Sequence, residues 1–235
     1  MKAIAAILAA VSALGVTAPA VAQAYQCSAP RTIGPVPAVR PDGPPRRTAI
    51  GGYILAASWS PEYCRNGRDA GSMQCSGANG RFGFVLHGLW PEARSGPPPQ
   101  WCATTPPPSP QLVRRMQCTT PVPWLIAHEW AKHGSCMARR PEDYYRVSTI
   151  LWRSIAWPDA DRLSRKRDLT AGDLRAAFVE ANPDWKPEQV GILASRTGWL
   201  RELKLCYGRD FLPTRCDRRG FGPRDTEPLK IWRGL

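Results

Sequence analysis

Three histidines, one glutamate and one lysine hold most of the reactive potential of this chain. His128, Glu129, Lys132 and His133 fall within HEWAKHGSC (128–136), and His87 lies in FVLHGLW (84–90). The 235 residues contain no other histidine, although they carry 32 lysines and arginines. On a helix, residues four apart are neighbours, which sets Glu129 beside His133 and His128 beside Lys132. One short surface then presents two imidazoles, a carboxylate and an ammonium. Two imidazoles that titrate near neutrality can serve as a complementary acid and base. Lys132 could neutralise charge growing on a phosphoryl group, and Glu129 could hold His133 and stabilise its imidazolium. Such a set suits phosphodiester cleavage by a nucleophile already in the substrate. It calls for no metal, no cofactor and no protein nucleophile.

Two other chemistries compete for the same residues. The zinc-peptidase motif is HExxH, with both imidazoles on one helical face. Here the spacing is HExxxH, which puts them about 140° apart on an ideal helix, poor geometry for one tetrahedral ion. A merely solvated face could also carry these charges. Against that, Trp124, Ile126 and Trp130 crowd the segment, and every histidine of the chain sits in one of the two stretches.

Several elements must position these groups. In IGGYILAASWS, Tyr53, Leu55, Ala57 and Trp59 alternate as in a strand, and RFGFVLHGLW reads as a second strand ended by Pro91. Residues 91–110 hold eight prolines and read as a long surface loop. Pro123 suits the first position of a helix over WLIAHEWAKH, with Gly134 as its stop. Pro141, Glu142 and Asp143 open another helix, expected to run to about Trp157. Thr170 and Asp173 form a capping box for DLRAAFVEAN. VGILAS, WLRELKLCYG and DFLPTRC then read as strands. Strands first, helices in the middle and a closing hairpin indicate an α+β domain, an antiparallel β-sheet flanked by helices.

Composition limits the partners and the compartment. Met1-Lys2 precedes an uncharged run closing on Ala22-Gln23-Ala24, a small-x-small signal peptidase pattern. Cleavage near Ala24 is expected, and the run is a poor membrane anchor. Residues 1–24 are thus read as a signal peptide, 25–48 as a proline-rich arm and 49–235 as one catalytic domain, secreted or periplasmic. The eight cysteines, lacking paired CxxC spacing, indicate up to four disulfides. A net charge of +13 favours a polyanionic partner, unless it only reflects coding bias towards arginine. The protein is expected to act as a monomer with no membrane partner.

FVLHGLWP (84–91) and HEWAKHGSC (128–136) together resemble the two catalytic segments of the ribonuclease T2 family, with SWSPEYC (58–64) in support upstream. The short alanine-rich leader suggests a bacterial member. The resemblance spans roughly residues 50–216 and implies a transferase-type endoribonuclease of low base specificity acting on single-stranded RNA. It makes His133 the base on the ribose 2′-OH and His87 the acid to the leaving 5′-oxygen. It has His128 bind phosphate, while Glu129 and Lys132 stabilise the pentacovalent transition state. Trp90 stands where the family places a base-binding aromatic, although a tryptophan ending a strand is equally at home in a core. The implied products are 2′,3′-cyclic phosphates, which some members hydrolyse to 3′-phosphates. The family positions pair Cys64 with Cys75 and Cys206 with Cys216. Cys102–Cys136 would clip the proline loop to the catalytic helix, and Cys27 and Cys118 remain as a pair. A further cysteine bridge near Val190 is missing, which leaves the path of the C-terminal tail open. The alternatives are a catalytically silent member acting as a binding or toxin-like protein, and a zinc hydrolase.

Overall fold

The computed structural model describes residues 24–235, apart from Arg68, Thr105 and Leu235. The expected signal peptide therefore lies, but for Ala24, outside the described residues. A short pair, β1 (Ala24–Tyr25) with β3 (Arg81–Phe82), ties the start of the arm to the domain. The main sheet has four antiparallel strands: β2 (Ile50–Trp59), β4 (Phe84–Ala93), β5 (Val190–Ala194) and β6 (Leu200–Tyr207), in the order β4-β2-β6-β5. Around it lie α1 (Ser60–Cys64), α2 (Pro110–Met116), α3 (Pro123–Lys132), α4 (Pro141–Arg153), α5 (Ala160–Leu163), α6 (Ala171–Ala181) and α7 (Arg218–Phe221). No helix among the described residues is long and apolar enough to cross a membrane.

The two faces of the sheet have different fates. Residues paired across an antiparallel ladder share a face. Leu55, Ala57, Trp59, Phe84, Leu86, Leu89, Leu203 and Leu205 form one face of the ladder. They bury into one core with Ile126 and Trp130 of α3, Tyr144 of α4, and Leu174 and Phe178 of α6. The opposite face carries a small apolar cluster, Ile54, Cys206 and Cys216, with Trp90 and Phe221 packed on it, followed by Ser58, Lys204 and Glu202. Polar chemistry is thus assembled on the face turned away from the main core.

Four local readings change. Pro91 does not end β4, which continues to Ala93. β4 is an edge strand, where a residue without an N–H is tolerated. The helix at Pro141 stops at Arg153 rather than near Trp157. There the Asn182 side chain captures both the N–H and the carbonyl of Ala156, drawing the chain out of its helical path. DFLPTRC makes no strand beyond a single bridge between Tyr207 and Pro213. The Cys206–Cys216 disulfide folds this segment into a turn, and Leu212 remains exposed. Finally, the proline loop ends in a helix, α2, whose start is made by Ser109 accepting from the Leu112 N–H and by Pro110 at a position that needs no donor.

Disulfides join Cys27 to Cys118, Cys64 to Cys75, Cys102 to Cys136, and Cys206 to Cys216. The C-terminal tail returns along the domain, with Leu200 N–H donating to Lys230 O and Leu229 N–H to Leu169 O. The buried Arg175 of α6 donates to the carbonyls of Val190, Phe221 and Pro223 and to Asp225, which anchors that tail without a further bridge.

Candidate active site

His87 and Trp90 are three residues apart on β4, and in a regular strand their side chains would point to opposite faces. Here they share one face because the ladder slips. Ala56 pairs with Gly88 and Ala57 with Leu86, so His87 is the unpaired residue of a β-bulge. The bulge keeps Leu86 and Leu89 in the core while both rings face the site. On the outer side of β4, Leu86 N–H donates to Thr119 O and the Thr120 hydroxyl donates to Leu86 O. The Tyr144 hydroxyl binds both the N–H and the carbonyl of Leu89. The bulge is therefore held from outside the sheet as well as within it.

α3 delivers the other groups. Its Ile126, Ala127 and Trp130 are buried, so its remaining faces are oriented by the core. Glu129 is also buried, and its carboxylate reaches across to β4. Glu129 Oε2 accepts from Trp90 Nε1 at 2.8 Å, and Oε1 stands 3.6 Å from His87 Nε2. Gly88 permits this approach, since a Cβ there would collide with the Glu129 carboxylate. Glu129 was expected to hold His133; instead its side chain is aimed at His87 and Trp90. Helical spacing makes the two residues neighbours along α3, but it is the facing strand that offers Glu129 its hydrogen bond.

The end of α3 is fixed from several sides. Lys132 O accepts from Trp101 N–H at 2.8 Å, and the Cys102–Cys136 disulfide clamps the following turn, Gly134–Cys136. Gly134 leaves no room for a side chain, because a Cβ would lie 2.5 Å from Trp130 and 2.8 Å from Tyr144. His128 stacks on Trp124 at 4.8 Å between centroids and meets the edge of Trp101 at 5.4 Å. His133 lies 5.7 Å from the Trp90 ring, and Trp90 in turn meets His87 edge-on at 5.1 Å. Lys204 Nζ sits 5.6 Å from the Trp90 centroid. The five residues HEWAKH and HGLW nominated, together with Trp90, are thus gathered along one side of the sheet. A cleft of about 740 Å³ opens beside His87, lined in part by Ser58, Tyr63, Asn66, Trp124 and Glu202.

Electrostatics separate the two histidines expected to work as acid and base. Burial strongly favours neutral His133, and the Lys132 charge adds to this, lowering its pKa to about 3. Burial also pulls His87 down, but a hydrogen bond with Glu202 and the charges of Glu129 and Glu202 outweigh it and hold its pKa above the ordinary histidine value. His128 is lowered by burial and by Lys132. Burial pushes Glu129 up to about 7, against the His87 charge and the Trp90 hydrogen bond. Such divergent environments for titratable groups mark functional sites.

Sequence reasoning missed three contributors. Glu202 of β6 contacts His87 Nδ1 at 2.6 Å, and the Ser58 hydroxyl of β2 lies 3.1 Å from Glu202 and 3.2 Å from His87 Nδ1. Asp42, from the proline-rich arm, accepts from Lys132 Nζ at 2.6 Å and from Trp101 Nε1 at 3.0 Å. Asp42 and Glu202 are separated from their partners by 90 and 115 residues, so no local pattern announces them.

Known proteins share the sequence segments and the fold. The model of the ribonuclease T2 family matches residues 50–163. A ribonuclease of Aeromonas hydrophila is 36% identical over 163 residues, which cover 67% of this chain and 72% of that protein. A protein of Haemophilus influenzae named a probable ribonuclease is 30% identical over 180 residues, 71% of this chain, but the match spans only 61% of that relative's length. Among solved structures, trichomaglin, described as an S-like ribonuclease, superposes with a TM-score of 0.61 at 21% identity, over 77% of this chain and 98% of that one, a likeness of fold. With both sequence segments, the sheet that carries them and a relative of this identity and coverage in agreement, the chain belongs to the ribonuclease T2 family.

Proposed function

We propose that the protein is an endoribonuclease that cleaves single-stranded RNA by transphosphorylation. His133 takes the proton of the ribose 2′-OH as its oxygen attacks phosphorus. The bond from phosphorus to the 5′-oxygen breaks, and His87 gives that oxygen a proton. His87 Nδ1 is engaged by Glu202, so Nε2 is the donor. His128 binds the phosphate, and Glu129 and Lys132 stabilise the pentacovalent transition state. Trp90 supports a base, and the products are 2′,3′-cyclic phosphates open to hydrolysis to 3′-phosphates.

One observation carries the reading. Two histidines flank Trp90 on one site, His87 at 5.1 Å and His133 at 5.7 Å from its ring. Their surroundings push their pKa values apart, burial favouring neutral His133 while Glu202 and Glu129 favour protonation of His87. A base and an acid are thereby ready together before substrate arrives. The reading extends to the rest of the chain. Residues 1–24 direct export, 25–48 form the arm, and 49–235 work as a monomeric catalytic domain in the periplasm or medium. Four disulfides suit an oxidising compartment of that kind.

The test is degradation of polymeric RNA and of DNA in excess EDTA. RNA should be cut and DNA should survive, because only RNA carries the 2′-OH nucleophile. Loss of activity on chelation with recovery on adding zinc would sink the proposal. Binding without cleavage would leave a silent family member.

A further inference from the structure

Glu202 takes part in neither segment that names the site, yet its carboxylate is almost fully buried, and burying a charge is costly unless it is paired. Its surroundings show what it is paired with. Glu202 Oε1 lies 2.6 Å from His87 Nδ1 and accepts from the Ser58 hydroxyl at 3.1 Å. Ser58 and Glu202 are direct partners across the β2–β6 ladder, so both sit on rigid sheet positions. His87 rises from the bulge of β4, on the other side of β2. Three adjacent strands therefore converge on one ring nitrogen.

We propose that Glu202 is the positioning residue of the general acid, fixing the His87 ring through Nδ1–H so that Nε2 faces the leaving oxygen and keeps its proton. A carboxylate on one ring nitrogen sets the tautomer and orientation, and stabilises the cation, as in other carboxylate-histidine pairs. Ser58 completes the arrangement by satisfying the carboxylate from the adjacent strand. Glu202 touches no substrate and acts only through His87. The inference rests on the acid–base reading above.

Other charges also face His87. Glu129 approaches Nε2 from α3, Lys204 comes from β6, and His128 and His133 lie on the far side of the site. Glu129 cannot replace Glu202, because it stands at Nε2, the nitrogen that must serve the substrate. Lys204, a like charge, works against the cation. Among the described residues, Glu202 is thus the carboxylate placed to support His87 from behind.

The experiment exploits a chain with only three histidines. Ring resonances of the full mature protein are titrated by NMR, each assigned by replacing one histidine at a time. In Glu202→Gln, the His87 midpoint should fall by about 1 pH unit or more, the usual effect of losing an adjacent opposite charge, while His128 and His133 stay in place. The alkaline limb of kcat/KM should move down by the same amount. A 3′-nucleotide ester with an activated aryl leaving group, which needs little protonation, should hide most of the defect. A His87 midpoint that does not move, or equal movement of all three rings, would overturn the proposal. So would a defect that persists undiminished on the activated ester. If the variant does not fold, the native protein still decides. Neutral His87 must be the Nδ1–H tautomer, which ring nitrogen shifts distinguish, and an Nε2–H tautomer would refute the pairing. A native protein that cuts no RNA would defeat the ribonuclease reading, whereas the tautomer and titration would still report on Glu202.

Discussion

At the scale of single residues, the site works by giving identical side chains different surroundings. Burial, with the Lys132 and His128 charges added, lowers the His133 pKa to about 3. His87 has Glu202 at Nδ1 and Glu129 near Nε2, so it retains a proton above the ordinary histidine range. The sign for activity follows from the proposed roles. The base must be neutral, so kcat/KM should rise as pH climbs through the low His133 value. The acid must be charged, so kcat/KM should fall as pH rises through the elevated His87 value. The free enzyme should therefore show a broad plateau displaced to the acid side, measured on a dinucleotide. His133→Ala should erase the acid limb, and His87→Ala the alkaline limb. Each should lower kcat by about 10²–10⁴-fold, the usual effect of losing a general acid or base. An acid limb centred near 6.5 would mean that His133 is not held neutral.

The unit at the scale of elements is the close pairing of β4 with α3. The bulge at His87 turns a three-residue spacing into one shared face, and Gly88 lets the Glu129 carboxylate lie against the strand. Gly88→Ala places a methyl group where that carboxylate sits. Glu129 must withdraw, which breaks its hydrogen bond with Trp90 and removes its charge from His87 Nε2. Overpacking of this kind costs about 1–3 kcal/mol of stability. The rate should fall further than that destabilisation explains when measured well below the melting temperature. An unchanged kcat in a folded Gly88→Ala protein would show that Glu129 has no part in the transition state. The proline and glycine limits made α3 legible, and the capping box made α6 legible. The bulge was not, because it exists only through the register with β2. DFLPTRC misled for the converse reason: its composition suits a strand, but the Cys206–Cys216 disulfide folds it into a turn that leaves Leu212 exposed.

For the whole molecule, charge and crosslinks matter most. A formal net charge of +13 on one chain favours a polyanion, and released counterions should make binding weaken with salt. For single-stranded nucleic acid the slope of log K against log salt is about −0.7 per phosphate contact. An uncleavable 2′-deoxy oligonucleotide titrated against sodium chloride measures it, and a flat response would assign the arginine excess to coding bias. The disulfides distribute order unevenly. Cys27–Cys118 spans 91 residues and ties the arm to the body, whereas Cys206–Cys216 spans only 10 and shapes one turn. The arm is consequently more than a spacer, since it brings Asp42 to Lys132 in the candidate site.

What the sequence determined by itself is what local chemistry can encode. Histidines confined to two stretches pointed to the residues of the candidate site, the order of strands and helices to the α+β class, and the resemblance of FVLHGLWP and HEWAKHGSC to the family. Those signals survive in one dimension because they depend on residue type and short spacing. Tertiary structure alone decided which carboxylate serves which histidine. Glu129 leaves its helical neighbour His133 for β4, Glu202 arrives from a strand 115 residues away, and Asp42 from an arm 90 residues away. The physical reason is that a pKa is set by burial and by charges within a few ångströms in space, and strand register, a bulge and two packed elements fix those distances.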